Sequence, residues 1–293
     1  MSALIDYIQI EIHKTYNKKY SKKYIEDKLI PIINYICSSK SKKFLFGGSQ
    51  GIGKSSFINI ISKTIEKFYN KKILLLSLDN YYLSRKQRSQ LSNKIHQLLI
   101  TRGVPGTHDI ELGTNTIDSL FDARPSTYTY IPSFSKILDK HFPKEDWKKY
   151  KGRPDFIFFD AWCGGAKPIP ENKWKPPLNK LEKEKDPDQI WARWSNNELA
   201  GDYQKLFNRF DKLIFIQVEK MDNVYENRWL QERTMSKGIK DKKLLKNIMN
   251  KNQIKSFVMH YERLTRHILE EMPDQADIVI KREDKFKFFI KKK

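Results

Sequence analysis

Gly48-Ser49-Gln50-Gly51-Ile52-Gly53-Lys54-Ser55, continued by Ser56, is the stretch on which the reading of this 293-residue chain turns. It has the spacing G-x-x-x-x-G-K-[ST], and its flanks are those the pattern demands. Before it, Lys43-Phe44-Leu45-Phe46-Gly47 reads as a short buried strand. After it, Ser55 to Tyr69 sets Phe57, Ile60, Ile61, Ile65 and Phe68 at helical spacing. Glycines let successive backbone N–H groups wrap an anion without Cβ collisions, and the N-terminus of the following helix adds a favourable dipole. Gly48 to Ser56 therefore predict a phosphate cradle for ATP or GTP. Lys54 would reach the β- and γ-phosphates, and the Ser55 hydroxyl would ligate Mg²⁺.

Outward from this stretch, unbroken apolar runs recur at Ile73–Leu78, Phe156–Phe159 and Leu213–Val218. Asp277–Ile280 with Phe286–Ile290 is expected to close the sheet. Apolar strands separated by helical stretches predict an α/β fold with a parallel central sheet covered on both faces. Residues 1–40 read as an N-terminal helical segment, with helical patterning from Ala3 to Cys37, and 41–293 as the main unit. Between Lys167 and Phe210 the composition shifts toward proline and tryptophan, with Pro176, Pro177, Pro187, Trp174, Trp191 and Trp194. That segment is read as an inserted lobe or lid over the carboxyl edge of the sheet. Asp122–Arg153, holding Pro125, Pro132 and Pro143, is read as a long connection. No internal repeat is visible.

Phosphoryl transfer needs a carboxylate for the metal shell and, for a hydroxyl acceptor, a proton-accepting group. Asp79 and Asp160 each follow an apolar strand, at the sheet edge where such folds place their ligand. Asp160 has the form of the carboxylate that serves Mg²⁺, and Asp79 is the candidate general base. Strand-end or helix-capping aspartates are the competing reading for both. Arg102-Gly103-Val104-Pro105-Gly106-Thr107-His108-Asp109 sets a cation, a histidine and a carboxylate on one glycine-proline loop. Arg102 or His108 would hold an acceptor carboxylate and Asp109 would accept from a hydroxyl, unless Asp109 merely caps the next helix. Arg228 and Arg233, after the Leu213–Val218 strand, are candidate lid arginines for the charge on the transferred group.

Composition bounds the rest. The chain holds 56 Lys+Arg against 35 Asp+Glu, a net charge of +21, with 39% hydrophobic residues. That is enough apolar content for a packed core, which argues against disorder. No run approaches the ~18 apolar residues of a membrane helix, and two cysteines make no disulfide framework. Six histidines and two cysteines, scattered, form no metal-ligand motif. A cytoplasmic protein is expected. The lysines spread from Lys14 to Lys293, so most of the charge reads as a solvated coat. No specific nucleic acid partner and no membrane partner are expected, and the sequence says nothing of oligomeric state.

Taken with Ser77-Leu78-Asp79-Asn80-Tyr81-Tyr82-Leu83 and the Arg102–Asp109 loop, the phosphate-binding stretch resembles the D-glycerate 3-kinase group. That group stands beside uridine kinase, pantothenate kinase and phosphoribulokinase among P-loop kinases. Asp160–Lys167, Pro177–Glu182, Asn223–Glu232 and His260–Arg266 sharpen the resemblance toward a bacterial branch, and it runs from about Phe44 to Ile280. It implies a P-loop NTPase three-layer sandwich carrying the inserted lobe. It further implies transfer of the ATP γ-phosphate, with Mg²⁺, to a hydroxyl of a small hydroxy acid, D-glycerate first, giving 3-phosphoglycerate. In that reading Asp79 is the base, Arg228 the lid arginine and Lys136 a substrate contact. The group's proline-x-aromatic-aspartate-lysine segment stands here as Pro132-Ser133-Phe134-Ser135-Lys136, with Ser135 replacing the aspartate. Asp160 stands where a glutamate is frequent, which keeps the charge. A uridine- or pantothenate-type acceptor is the first alternative. A nucleic-acid-dependent NTPase is the second.

Overall fold

The computed structural model describes residues 1–237, 245, 248–282 and 287–292. Its strands are β1 (Lys43–Gly47), β2 (Ile73–Ser77), β3 (Tyr128–Ile131), β4 (Phe134–Ser135), β5 (Lys140–His141), β6 (Lys148–Lys151), β7 (Phe156–Asp160), β8 (Lys212–Gln217), β9 (Ile278–Arg282) and β10 (Phe288–Lys292). Six of them form one sheet in the order β10-β9-β8-β1-β7-β2. All neighbours in it are parallel except β9 and β10. The connection from Arg282 to Phe288 is too short for a crossover, so the last strand must turn back antiparallel. Phe286, part of the expected closing strand, lies outside the described residues.

The side-chain period of two divides the sheet residues between two cores. Phe44, Phe46, Phe156, Phe158, Ile214, Ile216, Ile278 and Ile280 point to one face. Leu45, Leu74, Leu76, Ile157, Phe159, Phe215 and Val279 point to the other. On the first face Phe158 sits edge-on to Phe44 and Phe46, with ring centroids 5.6 and 5.2 Å apart. Near-continuous apolar strands are what a sheet covered on both faces requires.

The helices are α1 (Ser2–Tyr16), α2 (Lys22–Tyr24), α3 (Ile30–Ser38), α4 (Lys54–Tyr69), α5 (Arg85–Lys94), α6 (Ile110–Asp122), α7 (Lys180–Lys185), α8 (Ile190–Ala200), α9 (Asp202–Phe207), α10 (Met221–Lys237) and α11 (Lys251–Gln275). The N-terminal segment shares its core with the sheet: Ile8, Ile12, Ile32, Ile33 and Ile36 are buried together with Ile58, Ile61 and Ile65 of α4. Local chemistry sets several helix starts. Ser84 with Gln87 and Asn250 with Gln253 form reciprocal capping boxes at α5 and α11. Among the described residues no helix is long and apolar enough to cross a membrane.

Asp122–Arg153 departs from the expected plain connection. Strand β3 pairs antiparallel with β6, and inside that ribbon β4 pairs with β5. Tyr128-Thr129-Tyr130-Ile131 alternates exposed and buried, which is the period of a half-buried strand. Its partner Lys148-Lys149-Tyr150-Lys151 carries too many charges to announce itself.

Candidate active site

The Gly48–Ser55 stretch wraps the carboxyl end of β1 and feeds directly into α4. Gly51 and Gly53 take φ of 75° and 89°, left-handed values that favour glycine. At Gly51 a Cβ would also come within 2.6 Å of the Asn227 backbone, so the loop tip is pressed against α10. Gly48, Ser49, Gln50, Gly51, Ile52, Gly53, Lys54, Ser55 and Ser56 all touch the cradle, and from Ser49 onward they line a cavity of about 410 Å³. The Ser49 hydroxyl and both polar atoms of the Gln50 amide are buried there without a hydrogen-bond partner among the described residues. Buried polar atoms are rarely left so, and an anionic ligand with its water would satisfy them.

Two strand-end carboxylates face the cradle. Asp160 closes β7, whose neighbours are β1 and β2. Its carboxylate holds Lys54 Nζ at 2.6 Å and accepts from the Ser55 hydroxyl at 2.5 Å. Ser55 and Asp160 thus converge as two oxygen donors at the site where a P-loop holds its divalent cation, which suits Mg²⁺. Asp79 lies just past β2, on the 3-10 turn Leu78–Tyr81, with its N–H bonded to the Ser77 hydroxyl at 3.3 Å. Its carboxylate accepts from the Tyr82 hydroxyl at 2.5 Å and pairs with the Lys136 ammonium. Burial pushes the Asp79 pKa up, but Lys136 and the two hydrogen bonds outweigh it and hold the carboxyl well below the usual range. Burial and the Asp79 charge push the Tyr82 phenol well above its ordinary value, so Tyr82 remains a donor.

Of the Arg102–Asp109 loop, only Arg102 reaches the cavity. Its guanidinium donates to Asp139 at 2.7 Å and to the Lys136 carbonyl at 2.8 Å. The loop is held from behind: Tyr261 donates to the Arg102 carbonyl at 2.7 Å and Trp162 to the Gly103 carbonyl at 2.8 Å. Gly103, at φ 120°, has the Tyr261 hydroxyl where a Cβ would be. His108 and Asp109, expected as substrate contacts, turn into the fold instead. The His108 imidazole stacks on Tyr82 with centroids 4.7 Å apart and shares a 2.5 Å hydrogen bond with Tyr203. Burial pushes its pKa down to about 3, so the ring is neutral. The Asp109 carboxylate accepts from the Leu112 N–H at 2.9 Å, as the cap of α6.

Arg228 lines the cavity from α10, paired with Glu232 at 2.6 Å and lying over the Phe257 ring at 5.4 Å. Arg233 is exposed and does not line it. Thr15, Tyr16, Asn227, Phe257 and Tyr261 line the cavity without having been foreseen. Glu232 had a readable signal, four residues after Arg228 on one helix face; the aromatic and N-terminal residues had none.

The inserted segment 167–210 contributes no described residue to the cavity lining, whereas α10 supplies Asn227, Arg228, Leu230, Gln231, Glu232 and Thr234. The segment's helices are fastened to α11. Arg263 pairs with Glu182 at 2.6 Å and donates to the carbonyls of Lys175 and Pro176, while Trp174 lies between Arg193 and Arg263. The His260–Arg266 segment is thus mainly a fastening for the lobe. Only Tyr261 of it faces the cavity.

No protein-family model matches the chain. A search of curated proteins finds the uncharacterized kinase mug58 of Schizosaccharomyces pombe, 24% identical over 250 residues, 81% of this chain and 85% of that protein. The chloroplastic D-glycerate 3-kinase of Arabidopsis thaliana is 25% identical over 63% of this chain and 39% of its own length. The probable ATP-dependent kinase TDA10 of Saccharomyces cerevisiae is 32% identical over 42% of this chain and 46% of its own. These three come from two yeasts and a plant, and the match spans less than half of the latter two. Among solved structures, a D-glycerate 3-kinase from Cryptococcus neoformans var. grubii superposes with a TM-score of 0.63 at 17% identity, covering 99% of this chain and 98% of that one. The YGR205w protein superposes with a TM-score of 0.62 at 23% identity, covering 95% and 92%. The curated relatives are named as kinases. The mixed α/β fold with its mostly parallel sheet matches the two solved structures across nearly the whole chain.

Proposed function

We propose that the chain transfers the γ-phosphoryl group of ATP to a hydroxyl of a small anionic hydroxy acid, with D-glycerate first among acceptors and 3-phosphoglycerate the product. The observation that carries this is one cavity in which the cradle and Lys54 face the Asp79 carboxylate, with Lys136 and Arg102 beside it. The cradle N–H groups and Lys54 take the triphosphate. Bound through Ser55 and Asp160, Mg²⁺ would supply charge neutralisation on the phosphate oxygens. Asp79 accepts the proton of the acceptor hydroxyl as its oxygen bonds to the γ-phosphorus. The bond to the β,γ-bridging oxygen breaks and its electron pair leaves on ADP. Arg228 faces the region where negative charge spreads over the transferred group.

Acceptor size follows from the same geometry. Lys136 is in contact with Asp79, so an acceptor that offers a hydroxyl to Asp79 and an anion to Lys136 and Arg102 must carry both within a few bonds. D-Glycerate, which carries a carboxylate and two hydroxyls on three carbons, meets that condition, and two of the similar proteins bear its name. A nucleoside offers no anion there.

ADP release measured across D-glycerate, other small hydroxy acids, uridine and pantothenate tests this reading. Release is expected to depend on D-glycerate and to vanish in Lys54→Ala and Asp79→Asn. Turnover with uridine or pantothenate and none with glycerate would keep the fold reading and overturn the substrate.

A further inference from the structure

Of the two cations of the acceptor subsite, Lys136 pairs with Asp79, whereas Arg102 is held by a residue that does not touch the acceptor. Lys136 opens the tight turn Lys136–Asp139 between β4 and β5, and the turn closes on Asp139 at φ 52°, a left-handed value that aspartate tolerates. The Asp139 carboxylate is met by three guanidiniums: Arg88 at 2.6 Å, Arg102 at 2.7 Å and Arg85 at 3.8 Å. Arg88 has a side chain only 2% exposed and spends its remaining donors on the carbonyls of Leu83 and Ile100, at 3.1 and 2.5 Å. It is a fixed buried strut whose one carboxylate partner is Asp139. On the cavity side, Arg102 bridges Asp139 and the Lys136 carbonyl. His141, beside the turn, is hydrogen-bonded at 2.6 Å to the carbonyl of Tyr82, the residue whose hydroxyl bonds Asp79.

We infer that Asp139 is the positioning residue of the acceptor subsite: clamped by Arg88 from behind, it orients Arg102 and docks the Phe134–His141 hairpin so that Lys136 meets the acceptor beside Asp79. The inference rests on the phosphotransfer reading for its kinetic consequence, though not for the clamp itself. Asp139 lies outside the cavity lining, so it acts on the acceptor only through Arg102 and Lys136. A shift of about 1 Å in a positioned group is enough to cost orders of magnitude in turnover. The effect belongs to the acceptor alone, because Asp139 makes no contact with Gly48–Ser56.

Removing the Asp139 charge also leaves Arg88 buried without a counter-charge, which destabilises the fold whatever the function. A second variant separates the two effects. In Arg88→Met/Asp139→Asn no buried charge is stranded, although the Leu83 and Ile100 carbonyls lose their donor, so its Tm is expected to recover in part relative to Asp139→Asn. The experiment takes the full chain and reads KM for D-glycerate, KM for ATP, kcat and Tm in wild type and both variants. Limited trypsin cleavage after Lys136 and Lys140 is followed by mass spectrometry well below each Tm. The glycerate KM is expected to rise about tenfold or more in both variants, with the ATP KM unchanged within about twofold and faster cleavage of the hairpin. A glycerate KM that returns to the wild-type value with Tm in the double variant would mean a purely structural role and overturns the proposal. Unchanged cleavage rates in both variants overturn it as well. If wild type turns over no D-glycerate, the phosphotransfer reading fails, and the cleavage rates still decide whether Asp139 holds the hairpin.

Discussion

Burial alone raises a carboxylate's pKa, yet Asp79 sits below its ordinary 3.8 because Lys136 is against it and Tyr82 donates to it. A depressed carboxylate contributes stability that is present above the unfolded value and lost as pH falls through the folded one. As a base it must be ionised, so activity is likewise lost only as pH falls through the folded value. In the wild type Asp79 therefore sets no acid limb near neutrality. In Lys136→Met the dominant lowering influence is gone and burial prevails. The acid limb of kcat/KM should move upward, past the ~3.9 of a free aspartate, on top of a lower plateau from the lost acceptor contact. A limb unchanged in position would show that Lys136 does not govern Asp79. At this scale the sequence located the cavity where chemistry and strand ends coincide, since Asp79, Asp160 and Lys54 all line it. It misled at His108 and Asp109, because a loop motif does not reveal which of its side chains turn inward. Asp139 was invisible: its role depends on Arg88, 51 positions earlier in the chain.

Between elements, Gly51 is pressed against the backbone of α10. A Cβ there meets the Asn227 backbone at 2.6 Å in a left-handed conformation, and backbone cannot yield as a flexible side-chain tip can. From β9, Arg282 joins the same contact, donating to the Ile52 carbonyl and to Asn227, each at 2.7 Å. Gly51→Ala is expected to lower ATP affinity by about tenfold or more, since the cradle N–H groups must shift. Titration with a fluorescent ATP analogue measures it, and near-wild-type affinity would show that the cradle relaxes freely. The strands of the main sheet were legible because buried parallel strands read as unbroken apolar runs. The β3–β6 ribbon was not, because its second strand is mostly lysine and takes its register from β3. The Lys167–Phe210 stretch stands out by composition alone, and its place against α11 depends on ion pairs such as Arg263 with Glu182.

Across the whole molecule, the N-terminal helices and the catalytic sheet share one core, and Thr15 and Tyr16 reach the cavity. Each buried isoleucine of that segment contributes about 1.5–3 kcal/mol, so losing Ile8, Ile12, Ile32, Ile33 and Ile36 together approaches the ~5–15 kcal/mol that hold a typical domain. Deleting residues 1–40 is expected to abolish a cooperative thermal transition, and a truncated chain that melts cooperatively within a few degrees of wild type would contradict it. The net charge of +21 comes from lysines and arginines spread along the whole sequence. The cations lining the cavity are instead each matched to a carboxylate: Lys54 to Asp160, Lys136 to Asp79, Arg102 to Asp139 and Arg228 to Glu232. An anionic acceptor and a triphosphate would bind by taking over these partners. The most direct measurement is the fate of the γ-phosphate, followed by ³¹P NMR with ATP, Mg²⁺ and D-glycerate. A phosphate ester on the C3 oxygen of glycerate, formed in step with ADP and absent in Asp79→Asn, is the predicted result. ADP formed with inorganic phosphate and no ester would contradict the account.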